Sequence, residues 1–154
     1  GPGKKRLQGL YQACSDHCVL CQESRIHPSP YSSTEGYRIV QEILSGPRAQ
    51  WPSAIVTSNN RLSMGALKSL SEHQLQIPDD IAFGGYDQLE IMEFLSGNLT
   101  LLEKDNAEIG RLAMQMLYER MNETAASHRR SVIVHPHLVI RGSEKFPKNR
   151  EQQA

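Results

Sequence analysis

Apolar residues recur along this chain in two alternating rhythms, and the elements follow from the order in which those rhythms succeed one another. Lys4 to Asp16 carries Leu7, Leu10, Tyr11 and Cys14 at helical spacing. The short apolar run Val19, Leu20 and Cys21 then predicts a strand. Pro28 and Pro30 make 26–31 a loop, because each removes a backbone donor and biases its predecessor to extended geometry. Ser32 and Glu35 have capping-box spacing, and Tyr37, Val40, Ile43 and Leu44 form one apolar face that stops at Gly46 and Pro47, which predicts a second helix.

Ala54 to Val56 reads as a buried strand, Leu62 to His73 as a helix with Leu62, Ala66 and Leu70 on one side, and Ile81 to Phe83 as the next strand. Gln88 to Leu95 holds Leu89, Ile91, Met92, Phe94 and Leu95, a short helix so apolar that it is expected to be deeply buried or to form a subunit contact. Leu99 to Leu102 is extended. Asp105 to Met121 is the longest helix, with an acid favourably placed at its N-terminus and a stripe of Ile109, Leu112, Ala113, Met116 and Leu117. Ser131 to His135 and His137 to Ile140 read as strand interrupted by Pro136, which suggests an edge or a bulge. The charged stretch 144–154 is expected to be a disordered tail.

Short strands alternating with helices imply an α/β domain: a mainly parallel sheet flanked by helices and joined by right-handed crossovers. At 154 residues the chain has the length of one domain. Its 17 basic and 17 acidic residues cancel, which argues against affinity built on contacts to nucleic-acid phosphates. No apolar run approaches membrane-spanning length and the N-terminus does not have the sections of a signal peptide, so a cytoplasmic location is expected, with no membrane partner.

In open sheets of this kind ligands bind beyond the carboxyl ends of strands, where this chain has Asn59 and Asn60 after one strand and Tyr86 and Asp87 after the next. A planar amide and a carboxylate suit neighbouring hydroxyls, Arg6 adds a donor fork, and Tyr31 can offer an aromatic face to a sugar ring. The same residues also have plain structural roles: Asn59 or Asp87 as a helix cap, Arg6 as a solvated cation, Tyr31 as cover for the core edge. His135 and His137 share one side of a strand without a nearby cysteine or carboxylate, so no metal site is expected there. No nucleophile elbow, phosphate loop or metalloprotease motif is present, so no enzyme is nominated and no cofactor is expected.

The run from Pro52 through Asn59 and Asn60, then Met64 to Leu67, Ile77 to Ala82, Gly85 to Asp87 and Asn98 to Thr100, resembles the effector-binding region of the lactose/galactose-repressor family of bacterial transcription regulators. The similarity extends upstream to Arg6 to Leu10 and downstream to Glu108 to Gly110 and Val139 to Ser143. It thus covers residues 3–143 in matching order. The resemblance implies a type I periplasmic-binding-protein fold of two α/β subdomains around a cleft, of which this chain would hold mostly the C-terminal one. It implies that Arg6, Asn59 and Asp87 are effector ligands, that Tyr31 is a cleft aromatic, and that the effector is a sugar or sugar phosphate. It also implies coupling to operator DNA through a helix-turn-helix headpiece absent from these residues. A homodimer is expected, with Leu89, Ile91, Met92, Phe94 and Leu95 as its contacts. The helix 105–121 would pack on the missing N-terminal subdomain. A solute-binding protein of a sugar transport system is the alternative on the same fold.

Two departures from the family pattern bear on the ligand. Asn60 stands where an acid is common, and Glu103, Lys104 and Asp105 stand where a glutamine is common, which makes an anionic ligand meeting Lys104 conceivable. The spacing of Cys14, Cys18 and Cys21 resembles the cluster motif of radical SAM enzymes, against which Cys14 reads more simply as a small buried hydrophobe on a helix.

Overall fold

The computed structural model describes residues 2–88, 98–122 and 130–148. Helix α1 spans Pro2–Asp16, α2 Ser33–Ser45, α3 Asn60–Glu72 and α4 Asn106–Met121. The strands are β1 (Ala54–Val56), β2 (Ala82–Tyr86), β3 (Thr100–Glu103) and β4 (His137–Val139). They form one sheet in the order β1-β2-β3-β4, parallel across the first two pairings and antiparallel at the last. The mainly parallel α/β architecture expected from the pattern is therefore the one observed.

Capping sets the helix starts. The Ser32 hydroxyl accepts from the Glu35 N–H at 3.1 Å, so the capping-box spacing opens α2, and Gly46 with Pro47 ends it. Asp105 does the same for α4, accepting from the Glu108 N–H at 2.8 Å. The apolar faces of α2 and α3 then meet the sheet, and Val40, Leu44, Ala66, Leu70, Ile81, Phe83, Leu99 and Leu101 make the buried cluster.

Two glycines allow α2 and α3 to cross backbone to backbone. A Cβ on Gly65 would lie 1.9 Å from the Ser33 carbonyl oxygen, and one on Gly36 would lie 2.4 Å from that of Leu62. The second contact falls on the first turn of α3, so the crossing fixes where that helix begins.

A second tie gathers the amino-terminal ends of β2 and β3. The fully buried Ser143 hydroxyl donates to the Phe83 carbonyl at 2.5 Å and accepts from the Thr100 N–H at 2.8 Å, while its own carbonyl accepts from the Phe83 N–H at 2.7 Å. Glu144 joins this knot, accepting from the Thr100 hydroxyl, a bond that holds its carboxyl below the usual range, and Pro147 is buried. The first residues of the stretch expected to be a polar tail are thus in contact with the core, and 149–154 lie outside the described residues.

Two expectations need revision, and a third falls outside the described residues. The run Val19 to Cys21 is not a strand: Cys18 sits at φ 53°, a left-handed turn that breaks extended geometry, Leu20 is 81% exposed, and β1 remains an edge of the sheet. The strand expected over Ser131 to Ile140 is confined to β4 beyond Pro136, at the opposite edge, where a residue without an N–H is tolerated. The apolar segment with Leu89, Ile91, Met92, Phe94 and Leu95 lies outside the described residues.

Helix α4 buries none of its residues. Ile109 and Leu117 of its expected stripe are exposed, as are Met114, Tyr118 and Met121.

The contrast between glycines gives a direct test. Gly65→Ala is expected to destabilise the protein by about 2 kcal/mol or more, since a backbone carbonyl cannot yield as a side chain would. Gly110→Ala, in α4 with nothing within 4 Å, is expected to stabilise it by about 0.5–1 kcal/mol. Urea unfolding of the two variants measures both, and equal effects would contradict the crossing.

Candidate functional site

The carboxyl ends of β1, β2 and β3 lie side by side, because their register pairs Val56 with Gly84 and Tyr86 with Leu102. Beyond β1 the chain runs through Thr57 and Ser58 to Asn59, the N-cap of α3. Thr57 and Ser63 share a buried hydroxyl contact at 2.6 Å, which holds the turn against the helix.

Asn59 is 6% exposed, and its side chain is half used. Its Oδ1 accepts from the Leu62 N–H at 2.9 Å, which satisfies one orphan donor of the first turn. Its buried Nδ2 has no hydrogen-bond partner in the protein. A buried amide with two donors left over is costly, of order 1–3 kcal/mol, and calls for an explanation such as a ligand or an ordered water.

Arg6 of α1 reaches this turn across fifty-two positions of sequence, donating from Nη1 to the Ser58 carbonyl. Its guanidinium carbon lies 3.7 Å from the centroid of the Tyr86 ring, stacking that desolvates the flat face of the cation and fixes the plane of the fork. Alternation along β2 puts Tyr86 on the sheet face opposite Phe83, so α1 and the α2–α3 layer lie on opposite faces.

Asp87 follows immediately, at φ 70°. Its N–H donates to the Leu102 carbonyl at 2.9 Å, continuing the β2–β3 ladder past the last paired residue. A left-handed aspartate at a strand end is uncommon and marks a carboxylate aimed by its backbone. That carboxylate lies 2.9 Å from the Lys104 Nζ, which itself stands 5.7 Å from the Tyr86 ring centroid. Glu103, next in sequence to Lys104, is taken up by Arg141 at 2.6 Å.

Of the residues singled out in the sequence, Arg6, Asn59 and Asp87 are thus joined through Ser58, Tyr86 and the ends of adjacent strands. Tyr31 is placed differently: it is 40% exposed, with its hydroxyl against the first turn of α1, where a Cβ on Gly3 would be 2.8 Å away. That contact lies one turn of α1 before Arg6 and does not reach the strand ends. The sequence reading did not assign a role to Tyr86, which carries the stacking, nor foresee the pairing of Lys104 with Asp87. Position after a strand was the available signal for the first, and nothing local signals the second.

The other candidates do not converge. Cys14 and Cys21 are half-buried and neighbours, with burial and then Cys14 pushing the Cys21 thiol up, away from the thiolate that a cluster ligand needs; Cys18 is exposed. Among the described residues no group of three or more His, Cys, Asp or Glu side chains comes together to hold a metal ion. No helix among them is long and apolar enough to cross a membrane.

Comparison with known proteins identifies the family and the fold. The PurR transcriptional repressor of Pasteurella multocida is 31% identical over 143 residues, covering 92% of this chain and 42% of the repressor. The chain therefore spans about two-fifths of the length of the curated relatives it matches. A LacI-family regulatory protein of Chloroflexus aggregans superposes with a TM-score of 0.79 at 25% identity, over 94% of this chain and 51% of that one. A LacI-family regulator of Lactobacillus casei solved with bound sucrose shares the fold, with a TM-score of 0.75 at 23% identity, over 92% of this chain and 51% of that one. The model of the periplasmic binding protein-like domain matches residues 1–144. The chain belongs to the periplasmic binding protein-like domain family, and within it is similar to the effector-binding part of LacI-family regulators.

Proposed function

We propose that this chain is the effector-sensing part of a cytoplasmic DNA-binding transcription regulator, and that Arg6, Asn59 and Asp87 are its effector ligands, with Tyr31 at the border of the site. The observation that carries the reading is the buried Asn59 amide, whose Oδ1 is spent on the cap while Nδ2 has no partner in the protein. A turn residue serving only as a cap gains nothing from an amide, since a serine would cap α3 equally well. Arg6, held in place by Ser58 and Tyr86, supplies further N–H groups beside it. Nothing in this arrangement pairs a nucleophile with a base, so the chemistry it supports is recognition.

Binding would act on a hinge between this subdomain and a second one outside these residues, with the headpiece that contacts operator DNA following the same two-state equilibrium. The uncovered stripe of α4 supports such a second subdomain as its cover. The proposed effector class is a sugar or a sugar derivative, whose oxygens can accept from the Asn59 Nδ2 and Arg6 N–H groups.

Calorimetric screening of the full-length protein against neutral sugars, sugar acids and sugar phosphates tests the reading. The ligand that binds is expected to lose about tenfold or more in affinity with Asn59→Ser, while that variant's melting temperature stays close to the parent's because the cap survives. Indifference of every ligand to this substitution would remove Asn59 from the site.

A homodimer is part of the same proposal. Besides the expected contacts Leu89, Ile91, Met92, Phe94 and Leu95, which lie outside the described residues, a groove of about 590 Å³ between α2 and α3, lined by Tyr37, Met64, Leu67 and Lys68 among others, offers a further surface for a two-fold contact. Sedimentation equilibrium of the full-length protein should give a dimer, shifted towards monomer by Met64→Asp; a monomer at tens of micromolar would contradict it.

A further inference from the structure

The strand ends offer a bound molecule far more donors than acceptors. Asn59 has its oxygen engaged by Leu62 and holds the two N–H groups of its buried Nδ2 without a partner in the protein. Arg6 donates to the Ser58 carbonyl from Nη1, and a guanidinium has five N–H groups to give. The carboxylate at the strand ends, Asp87, faces the Lys104 ammonium at 2.9 Å. Glu103 is paired with Arg141, so it does not offset Lys104. Arg6 and Lys104 against Asp87 leave the site with one net positive charge.

A neutral polyol is a poor complement to such a site. Each hydroxyl brings a proton that needs an acceptor, and the carboxylate here has one of its two oxygens beside a cation. A phosphate or carboxylate brings acceptors alone and a negative charge. Both cations approach one ring, Arg6 at 3.7 Å and Lys104 at 5.7 Å from the Tyr86 centroid, so an anion at the rim of Tyr86 lies within reach of each. Lys104 is a third exposed and on a flexible stem, free to swing from Asp87 to such an anion.

The geometry points to an effector that carries an anionic group, a phosphate or a carboxylate, received by Arg6 and Lys104, with Lys104 determining the preference for it over neutral polyols. This rests on the assignment of the strand ends as the effector site. Departure of Lys104 would also free the second oxygen of Asp87 to accept from the hydroxyls of the same ligand, so one movement supplies both the charge contact and a further acceptor.

The test is calorimetric titration of the full-length protein and its Lys104→Gln variant with matched probes: glucose, glucuronate and glucose 6-phosphate, and ribose with ribose 5-phosphate. At least one anionic member is expected to bind ten times or more tighter than its neutral counterpart, with affinity falling as sodium chloride is raised. Lys104→Gln is expected to erase that ratio, weakening the anionic member about tenfold or more while leaving the neutral one unchanged or improved, since Asp87 is released. The glucuronate and phosphate arms distinguish the two anion types. A neutral member that binds as tightly as its anionic counterpart and is weakened by Asn59→Ser overturns the anion proposal and leaves the site standing. A bound ligand indifferent to both Asn59→Ser and Lys104→Gln overturns the two together. Failure of every anionic probe to bind, or a Lys104→Gln variant that melts lower with the ratio intact, overturns the role of Lys104.

Discussion

The backbone contact between α2 and α3 is the constraint on which the rest of this structure depends. Gly36 lies against the Leu62 carbonyl and Gly65 against that of Ser33, distances at which any Cβ would collide with main chain. Because Leu62 belongs to the first turn of α3, the crossing fixes the point where the chain leaving β1 must turn into a helix. Asn59 is the residue at that point, and the N–H it caps is that of Leu62 itself. Packing of two helices on one face of the sheet thereby sets the position of an amide at its carboxyl edge.

The opposite face supplies the charged half of the site by different means. There α1 is held by Arg6, through the Ser58 carbonyl and the ring of Tyr86. The continued ladder beyond β2 turns Asp87 into a left-handed conformation, towards Lys104 at the end of β3. Every one of these contacts joins residues far apart in sequence, and each depends on the parallel register that aligns the three strand ends. As a proposed effector site it would be pre-organised by the sheet in all but Lys104, which would keep the ordering cost of binding small.

This difference in range explains what was legible in the sequence. Ser32 before α2 and Asp105 before α4 announce themselves because a cap bonds to a residue three positions on. The core-facing sides of α2 and α3 and the positions of β1 to β3 follow from periodicity, although β1, expected to be buried, is an exposed edge with Val56 79% exposed, and the resemblance of ordered motifs singled out Arg6, Asn59 and Asp87. Val19 to Cys21 misleads because an apolar triplet states only that a strand is affordable, whereas pairing depends on an edge elsewhere. The ion pair of Lys104 with Asp87 and the stacking on Tyr86 could not be read, since neither has a local pattern. Ser143 illustrates the same limit: a serine in a polar stretch gives no sign that it bonds both β2 and β3 in the interior.

The central claim is that the spare half of the Asn59 amide belongs to a ligand. Side-chain amide resonances in two-dimensional nitrogen–proton NMR report on it directly. On saturation with a bound effector, the Asn59 Nδ2 protons are expected to shift strongly and to exchange more slowly with solvent, while the Leu62 N–H holds its position because the cap is unchanged. An effector that binds yet leaves the Asn59 amide protons where they were would contradict the account.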